Sequence, residues 1–465
     1  MSGPAVTVVD LAAWRRRGET PALYLEPGGD EHVLGYRDLA DAVRRRSAEL
    51  AAQRPAGAPD GHPLVAVEGH RPVGVLVECL ASLDAGWSVL VVNGGWWPRE
   101  RDALYERLQP DHVVRVNPSG PSSASVRPGP GRSGPAARPR PAGAGPLLWI
   151  GSAGGEGDPR AHAFTAEQVR TWLAGTGTDR VPGGLGHDPA GVLVTGDLGH
   201  LATLRTVLAG LAAGTAVQFG DRTHLAAQLA HRRHAEVVTT PLLLRRALRQ
   251  LARRGRQPAG AGRLVLHQGQ VRPHEWAAWT DRTADVVESG VSVTEAGGWL
   301  LHGEHPAGGV EIIVDADGSV ACAGAGSSPA DAAGDRPAGG WRTGDVAERR
   351  ADGSVHWRGR RRDRFVADGG HEVDPVEVEA VIAAHPLVAE VAVAPRPHPE
   401  RGNLVVAVVV PADPEWPPFL DDLAAVTGTL PGPARPSALA VVDDLPLNAA
   451  GAVHRRLVNY EEAGR

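Results

Sequence analysis

The chain contains no lysine, so all 48 of its Lys and Arg residues are arginine. This absence has a chemical consequence that no fold can reverse. It excludes a Schiff-base lysine, a lysine on a phosphate-binding loop and any other catalytic lysine supplied by the chain itself.

Cysteine, long apolar runs and basic clusters are also scarce. Cys79 and Cys322 provide neither a disulfide framework nor a metal-ligand spacing, and they are best explained as small core residues. No run of about eighteen apolar residues and no signal-like leader is evident, which predicts a cytoplasmic protein without membrane contact. The net charge of -6, with no basic patch, argues against nucleic acid as a partner.

The length of 465 residues allows two or three domains. Residues 6–116 alternate helical and strand patterns, which predicts an α/β unit. Residues 117–146 are dominated by Pro, Gly, Ser, Ala and Arg, and the composition predicts an exposed, disordered loop within the first domain.

The stretch 341–379 is the most informative part of the chain. It contains a turn with Asp345, a hairpin turn at Asp352-Gly353 and an Arg-rich crossover. A helix follows, because Asp374 suits the N-cap, Pro375 suits the first helical position and Glu377 completes a capping box. On these patterns alone the stretch could equally be an ordinary hairpin and helix.

Three motifs of this stretch, GWRTGD, DGSVHWRGR and GGHEVDPVEVE, occur in the order found in one protein family. The chain resembles the adenylate-forming (AMP-binding) superfamily, which includes acyl- and aryl-CoA synthetases, peptide-synthetase adenylation domains and luciferase-like enzymes. The resemblance implies an α/β fold with a large multi-sheet N-terminal domain, residues 1–359. A small, mobile C-terminal α/β domain, residues 360–465, would follow it.

The resemblance assigns nucleotide roles to residues near the crossover. Asp345 would hold the ribose hydroxyls, with Arg360, or alternatively Arg361, beside it. Gly369 and Gly370 would lie along the path of the pantetheine arm of CoA or of an acyl-carrier protein.

A glycine-rich turn after the apolar run 147–150 resembles the phosphate loop of the family, and glycines allow backbone N–H groups to approach phosphate oxygens. Ser152, Gly154, Gly157 and Arg160 match the pattern. Arg160 stands where the family has lysine, and Glu156 would repel a triphosphate. An ordinary surface turn is the alternative.

Thr294 and Glu295 match the Thr-Glu pair that contacts phosphate and holds Mg²⁺ in the family, and a carboxylate suits such an oxygen-preferring cation. Val291 replaces the tyrosine that stacks on adenine. The resemblance also places His200 near the acid substrate, although a lone histidine is more often structural.

The C-terminal segment LPLNAAGAVHRRL resembles the terminal loop of the family, with Ala452 in place of the catalytic lysine. Arg455 or Arg456 is a candidate to supply the missing charge. A guanidinium is planar and does not simply replace an ammonium group.

Two functions remain open. The first is an ATP- and Mg²⁺-dependent ligase that activates a small carboxylic acid as its acyl-adenylate. It would pass the acyl group to CoA, to a carrier-protein thiol or to an amine, with Arg160, Glu295 and Arg455 as catalytic candidates. The second is an adenylation-like protein that binds a nucleotide or a partner without turnover, which the missing lysine favours.

Overall fold

The computed structural model describes most of the chain. The described residues are 10–25, 33–53, 62–69, 71–92, 94, 96, 98–116, 124–128, 147–152, 160–174, 190–220, 223–269, 271–331, 337–448, 451–455 and 458.

The largest sheet has nine strands, and its six central strands are parallel. Antiparallel strands close both edges. In spatial order the strands are β15 (His305–Pro306), β14 (Leu301–His302), β13 (Ala284–Val291), β12 (Ala261–His267), β11 (His234–Thr239), β9 (Val192–Thr195), β10 (Val217–Gly220), β1 (Pro21–Tyr24) and β2 (Val33–Gly35).

A second sheet of seven strands has a parallel centre of four strands. Its order is β18 (Ala330–Asp331), β8 (Arg160–Thr165), β7 (Leu147–Ser152), β4 (Ser88–Val91), β3 (Leu64–Glu68), β5 (His112–Val116) and β6 (Ala124–Pro128). Strand β6 falls inside 117–146 and pairs antiparallel with β5. The prediction that this segment is a loop without secondary structure is therefore wrong for Ala124–Pro128, because composition does not register an edge strand held by its neighbour. The rest of 117–146 lies outside the described residues.

A third, antiparallel sheet carries the hairpin expected around Asp352-Gly353. Its order is β16 (Glu311–Val314), β17 (Ser319–Ala323), β19 (Trp341–Arg349) and β20 (Val355–Arg360). The hairpin register places Asp345 directly opposite Arg360. Gly344 and Gly359 have φ of 72° and 128°, in the region that favours glycine.

The C-terminal part forms two further sheets. A short pair, β21 (Phe365–Val366) and β22 (Glu372–Val373), precedes a three-stranded sheet of β23 (Val388–His398), β24 (Gly402–Pro411) and β25 (Ala438–Val441). The predicted start of the helix at Pro375 is confirmed, since Asp374 Oδ1 accepts the Val376 N–H at 3.0 Å. Glu377 pairs with Arg358, so the predicted capping box does not form.

Eleven helices occur among the described residues, and none is both long and apolar enough to cross a membrane. They are α1 (Leu11–Arg16), α2 (Tyr36–Ala52), α3 (Pro72–Asp84), α4 (Pro98–Leu108), α5 (Ala166–Ala174), α6 (Leu201–Ala213), α7 (Leu225–His231), α8 (Pro241–Arg253), α9 (Pro273–Arg282), α10 (Pro375–Ile382) and α11 (Leu420–Thr427).

The buried apolar side chains form separate clusters in the large and small parts of the chain. The main cluster joins helices α2, α3 and α6 to both large sheets, and its last member is Val355. The first cluster of the C-terminal part begins at Ala367 and draws on β23, β24, α10 and α11. Both cysteines are buried, and burial raises the pKa of Cys79 to about 12. A domain boundary at residues 359/360 agrees with this division and stays a prediction.

An ion-pair cluster joins the small part to α8. The Glu390 side chain on β23 is 1% exposed and accepts from Arg246 Nη2 at 2.8 Å and Arg246 Nε at 3.1 Å. Arg249 binds the same carboxylate. Arg272 also donates to the Ala389 carbonyl at 2.9 Å. Three arginines therefore hold one edge of the small sheet against the large part.

We predict that Glu390→Gln weakens this contact, because it leaves two arginine charges without their shared partner. Removing one partner of a buried ion pair costs about 3–5 kcal/mol of stability. Because Arg249 is partly exposed, we expect the contact to lose about 2–3 kcal/mol. Small-angle scattering should show a larger radius of gyration, and limited proteolysis should cut faster near residues 360–363. Glu415→Gln, at an exposed carboxylate of the same part, is the control. Equal scattering and proteolysis for both variants would refute the role of the contact.

Candidate functional site

The candidate site lies where the central strands of the nine-stranded sheet end. His200 follows β9 by a short turn, Gln268 follows β12 directly, and Glu295 follows β13 by a few residues. These strands run parallel, so their carboxyl ends meet at one edge of the sheet. Ligands of open α/β sheets bind at this edge.

Asp345 and Arg360 form the best-defined part of the site. The Asp345 side chain is buried, and its Oδ1 accepts the Trp357 indole N–H at 3.0 Å. Arg360 Nε lies 3.2 Å from the same oxygen, while Arg360 Nη1 donates to the Thr343 carbonyl at 3.0 Å. The structure thus brings these two sequence-predicted residues together and adds Trp357.

The second carboxylate oxygen of Asp345 has no hydrogen-bond partner, although it is buried. Leaving a buried acceptor unpaired costs about 1–3 kcal/mol, and more for a charged group. An incoming hydroxyl would satisfy this oxygen. The atom therefore fits the ribose hydroxyls that the sequence assigned to Asp345.

Glu295 lies in a one-turn 3₁₀ helix, Thr294–Ala296, and is 6% exposed. Its Oε1 accepts from Ser152 Oγ at 3.3 Å, and His162 Nε2 lies 3.5 Å from the same oxygen. Burial by itself raises the pKa of Glu295, but His162 and Arg360 outweigh that effect and hold the pKa below its ordinary value. The ionised form of Glu295 is therefore favoured, and its carboxylate contacts Ser152, the start of the predicted phosphate loop.

Polar side chains form a chain of contacts beside His200. The Gln268 amide contacts His200 Nε2 and lies 3.5 Å from Ser292 Oγ, which in turn lies 3.4 Å from His267 Nδ1. Burial lowers the pKa of His267 to about 3 and that of His200 to about 4, and Arg360 adds to the latter shift. Both histidines are therefore neutral at pH 7.

Gln268 adopts φ of 57°, in the left-handed region that non-glycine residues rarely occupy. Such strain persists only where the surrounding structure enforces it, and it is concentrated at functional sites. Here it turns the amide toward His200. The acid pocket predicted at His200 is therefore polar on this side.

The segment predicted to be the phosphate loop is described only at its two ends, Ser152 and Arg160. Ser152 and Arg160 lie opposite each other in the register of β7 and β8, which places Arg160 at the same end of this hairpin as the Ser152–Glu295 contact. Thr294 is buried beside Glu295. Gly154 and Gly157 lie outside the described residues.

Arg455 is held by contacts within the C-terminal part. Its guanidinium binds both oxygens of Glu379, with Nη2 2.8 Å from Oε2, and its Nε lies 3.1 Å from Asp363 Oδ2. Two carboxylates hold Arg455 in this arrangement, and its role in supplying the missing catalytic charge stays a prediction. Arg456 lies outside the described residues.

Gly369 and Gly370 are exposed in a turn of the C-terminal part. Gly369 lines a cavity of about 400 Å³ whose other lining residues all come from the range 368–437. The structure does not bring the two glycines into contact with the cluster around Asp345 and Glu295. Their pantetheine role stays a prediction.

The terminal loop with Ala452 docks on the first turn of α8. Thr240 Oγ1, at the N-cap of α8, donates to the Gly451 carbonyl at 2.9 Å. Gly451 has φ of 83°, and a Cβ there would lie 2.5 Å from Leu243, so only glycine fits. Because α8 directly follows β11, this contact holds Ala452 at the same sheet edge as the rest of the site.

Three residues of the site escaped the sequence analysis: His162, His267 and Trp357. His162 carried a usable signal, because it interrupts the otherwise apolar strand Ala161–Phe164. His267 and Trp357 carried none, since a histidine at a strand end and a tryptophan in a hairpin are common in cores.

The donors of the site fit two of the groups that the resemblance implies. The unpaired Asp345 oxygen fits a nucleoside, and the Glu295 carboxylate fits a divalent cation. Among the described residues, no group of three His, Cys, Asp or Glu side chains could hold a metal ion. A cation at Glu295 would therefore need further oxygens from a bound phosphate or from water.

Residues 377–452 match the family model described as "AMP-binding enzyme C-terminal domain". Curated relatives include acetyl-coenzyme A synthetase of Methanothrix soehngenii, 36% identical over 124 residues. Another is 3-methylmercaptopropionyl-CoA ligase of Ruegeria pomeroyi, 36% identical over 123 residues. Each alignment covers 26% of this chain, with 18% of the first relative and 23% of the second, so the chain spans only about a fifth of their length.

Similarity to solved structures extends over nearly the whole chain. ATP-bound MatB from Rhodopseudomonas palustris superposes with a TM-score of 0.74 over 98% of this chain and 99% of that one, at 20% identity. Amide bond synthetase McbA from Marinactinospora thermotolerans gives 0.71 over 97% and 99%, at 19% identity. At these identities the comparison establishes the fold, and it confirms the two-domain adenylate-forming architecture expected from the motifs.

We predict that acid destabilises the protein partly through His267. Its folded pKa of about 3 lies below the ordinary value, so stability is complete above about pH 6.5 and falls as the pH decreases from there toward 3. As the pH decreases, the free energy of unfolding of His267→Gln should fall by about 1.4 kcal/mol less per pH unit than that of the wild type. Chemical unfolding between pH 7 and pH 5 measures this change in the free energy of unfolding. The control is His371→Gln, at an exposed histidine. Identical pH slopes for wild type and His267→Gln would contradict the assignment.

Proposed function

We propose that this chain is an adenylate-forming enzyme of the AMP-binding superfamily, which binds ATP in the cleft described above and activates a small carboxylic acid. The carboxylate would attack the α-phosphorus of ATP, giving an acyl-adenylate and pyrophosphate. CoA, a carrier-protein thiol or an amine would then accept the acyl group. The unpaired, buried Oδ2 of Asp345 is the observation that carries this proposal.

The nucleoside would be held by the hairpin β19–β20. Asp345 Oδ2 accepts the ribose hydroxyls, while Trp357 and Arg360 fix the carboxylate through its other oxygen. A hydrogen bond to a charged acceptor contributes about 1.5–3 kcal/mol. Because Asp345 is oriented before the ligand arrives, little binding energy is spent on ordering it.

The phosphates would lie between the loop that starts at Ser152 and the carboxylate of Glu295. Glu295 would hold the divalent cation whose charge offsets that of the phosphates. Arg160, which lies opposite Ser152 where the loop ends, is the candidate for direct contact with phosphate. Thr294 precedes Glu295 and would donate its hydroxyl to the same group.

The acid would lie beside His200. Because His200 and His267 are neutral, they can donate and accept hydrogen bonds without placing a second positive charge next to Arg360. His200 Nδ1 is buried and lacks a partner. It offers one polar contact to the acid, whose carboxylate must remain exposed to the α-phosphate.

A second function, nucleotide binding without turnover, is favoured by the position of Arg455. The family lysine is Ala452 here, and Arg455 is held by Glu379 and Asp363. One missing electrostatic donor lowers a rate by roughly 10²–10³. In an active ligase, Arg160 or the cation would have to supply the transition-state stabilisation that the missing lysine does not provide.

We predict that Ala452→Lys separates the two functions, because the docked terminal loop places residue 452 at the edge of the cleft. Pyrophosphate exchange should be measured with a panel of small acids. For an active ligase that uses Arg160, wild type exchanges, Ala452→Lys changes little and Arg160→Ala loses about 10²-fold. For a protein whose cleft is intact but lacks the charge, only Ala452→Lys exchanges.

Ala450→Lys, which adds the same charge two residues earlier, is the matched control. Nucleotide binding with no exchange by wild type or Ala452→Lys would support binding without turnover. The proposal fails altogether if no acid supports exchange and calorimetry detects no binding of ATP or AMP.

A further inference from the structure

The side-chain amide of Gln268 connects two histidines of the candidate site. Its nitrogen contacts His200 Nε2 and lies 3.5 Å from Ser292 Oγ. Ser292 Oγ in turn lies 3.4 Å from His267 Nδ1. One amide nitrogen therefore reaches the first imidazole directly and the second through a hydroxyl group.

The direction of these hydrogen bonds follows from the donors that are present. The amide nitrogen of Gln268 carries two hydrogens and only donates, so His200 Nε2 and Ser292 Oγ accept. The Ser292 hydroxyl then gives its own hydrogen to His267 Nδ1. Both imidazoles are neutral at pH 7, since burial lowers their pKa values to about 4 and about 3. Each ring therefore carries its single proton on its other nitrogen.

Those other nitrogens are His200 Nδ1 and His267 Nε2, and both are buried without a hydrogen-bond partner. The network thus leaves two N–H donors that have no acceptor among the described residues. A buried donor without a partner is costly, and a bound ligand or water is the usual explanation for one. His200 Nδ1 belongs to the residue at which the acid is expected, so a ligand acceptor fits it best.

The backbone at Gln268 supports a specific role for its side chain. Its φ of 57° lies in the left-handed region, which disfavours residues with a side chain. Glycine adopts this conformation without strain, so the turn by itself does not require glutamine. What glutamine adds here is the amide that contacts His200.

Contacts on both sides hold His200 in place independently of Gln268. Asp197 Oδ1 accepts the Gly199 N–H at 2.7 Å, which fixes the turn before His200. His200 is the N-cap of α6, and in that helix Arg205 Nη1 donates to the Gly297 carbonyl at 2.9 Å. A substitution at Gln268 should therefore change the hydrogen bonding of His200 and leave its position intact.

We propose that Gln268 is a positioning residue that holds His200 as its Nδ1–H tautomer, and that this N–H donates to an oxygen on the tail of the acid substrate. The substrate class rests on the proposed function, whereas the tautomer does not. The inference narrows the substrate to acids whose tail carries a hydrogen-bond acceptor, such as an oxo or carboxylate oxygen. An ammonium group only donates, so the tail of an amino acid would set donor against donor.

The tautomer of His200 can be observed directly. Nitrogen-15 labelling of histidine, with long-range proton–nitrogen NMR at pH 8, distinguishes a protonated ring nitrogen from an unprotonated one. The signals that disappear in both His200→Gln and His200→Asn belong to His200. We expect the proton on Nδ1 in the wild-type protein. A proton on Nε2 instead overturns the proposal, whether or not any variant at Gln268 folds.

Gln268→Glu should reverse the hydrogen bond, because a carboxylate only accepts and His200 must then donate from Nε2. Gln109→Glu is the matched control, since Gln109 also has a positive φ, 44°, and follows α4 away from the site. The control should leave the His200 signals unchanged. A folded Gln268→Glu whose His200 signals match those of wild type refutes the role of Gln268.

Acids of matched shape test the substrate class. We would measure binding by calorimetry to protein saturated with α,β-methylene-ATP, which cannot form an acyl-adenylate. The pairs are 2-oxobutanoate with 2-methylbutanoate and 4-oxopentanoate with 4-methylpentanoate, and 4-aminopentanoate supplies the ammonium group.

In at least one pair the oxo acid should bind about 2–10-fold more tightly than the methyl acid, the range expected for one net hydrogen bond. The amino acid should bind most weakly. The oxo preference should disappear in Gln268→Glu and persist in Gln109→Glu. No oxo preference in either pair with the wild-type protein overturns the substrate class.

The outcomes separate this inference from the proposed function. If the nucleotide binds but no oxo acid has an advantage, the proposed function stands and the substrate class falls. If neither the nucleotide nor any acid binds, the proposed function falls and the substrate class falls with it. The tautomer of His200 then decides the role of Gln268 by itself.

Discussion

The arrangement of the site depends on the guanidinium of Arg360. It holds Asp345 by one carboxylate oxygen, binds the Thr343 carbonyl, and adds to the electrostatic field that keeps Glu295 ionised and His200 neutral. Arg360 ends β20, directly before the segment that leads to the small sheet. Arg360, which contacts Asp345, is thus the last residue before the connection, so a movement of the connection would reach Asp345 through the Arg360 side chain.

The positive side-chain charge of this chain is carried by arginine, without lysine. Without lysine, the chain must neutralise phosphate with arginine or with a bound cation, and much of its arginine is committed elsewhere. Arg246 and Arg249 hold Glu390 between the large and small parts, and Arg455 holds Glu379 and Asp363 within the small part. A planar guanidinium with five donors suits such fixed pairs better than it suits a mobile catalytic contact. A tightly held cation at Glu295 would therefore matter more here than in a relative that has both lysines.

The sequence predicted the fold well, and it predicted that Asp345 and Arg360 lie together, because the motifs are contiguous and their turns require particular residues. The hairpin around Asp352-Gly353 and the N-cap at Asp374 follow from local patterns, whereas the proximity of Asp345 and Arg360 follows from the family resemblance. Contacts between distant strands could not be predicted in this way. His162 meets Glu295 across 133 residues of chain, and the capture of Arg455 by Glu379 depends on how the small sheet closes. Strand Ala124–Pro128 was missed because an edge strand takes its stability from its neighbour.

The central claim is that Asp345 Oδ2 receives the ribose hydroxyls of a nucleotide. Calorimetry of wild type with ATP and with 2′,3′-dideoxy-ATP tests it most directly, since the two ligands differ only in those hydroxyls. A hydrogen bond to a charged acceptor contributes about 1.5–3 kcal/mol, so the dideoxy nucleotide should bind at least about 10-fold more weakly. Equal affinity for the two nucleotides would show that the ribose lies elsewhere and would contradict the account.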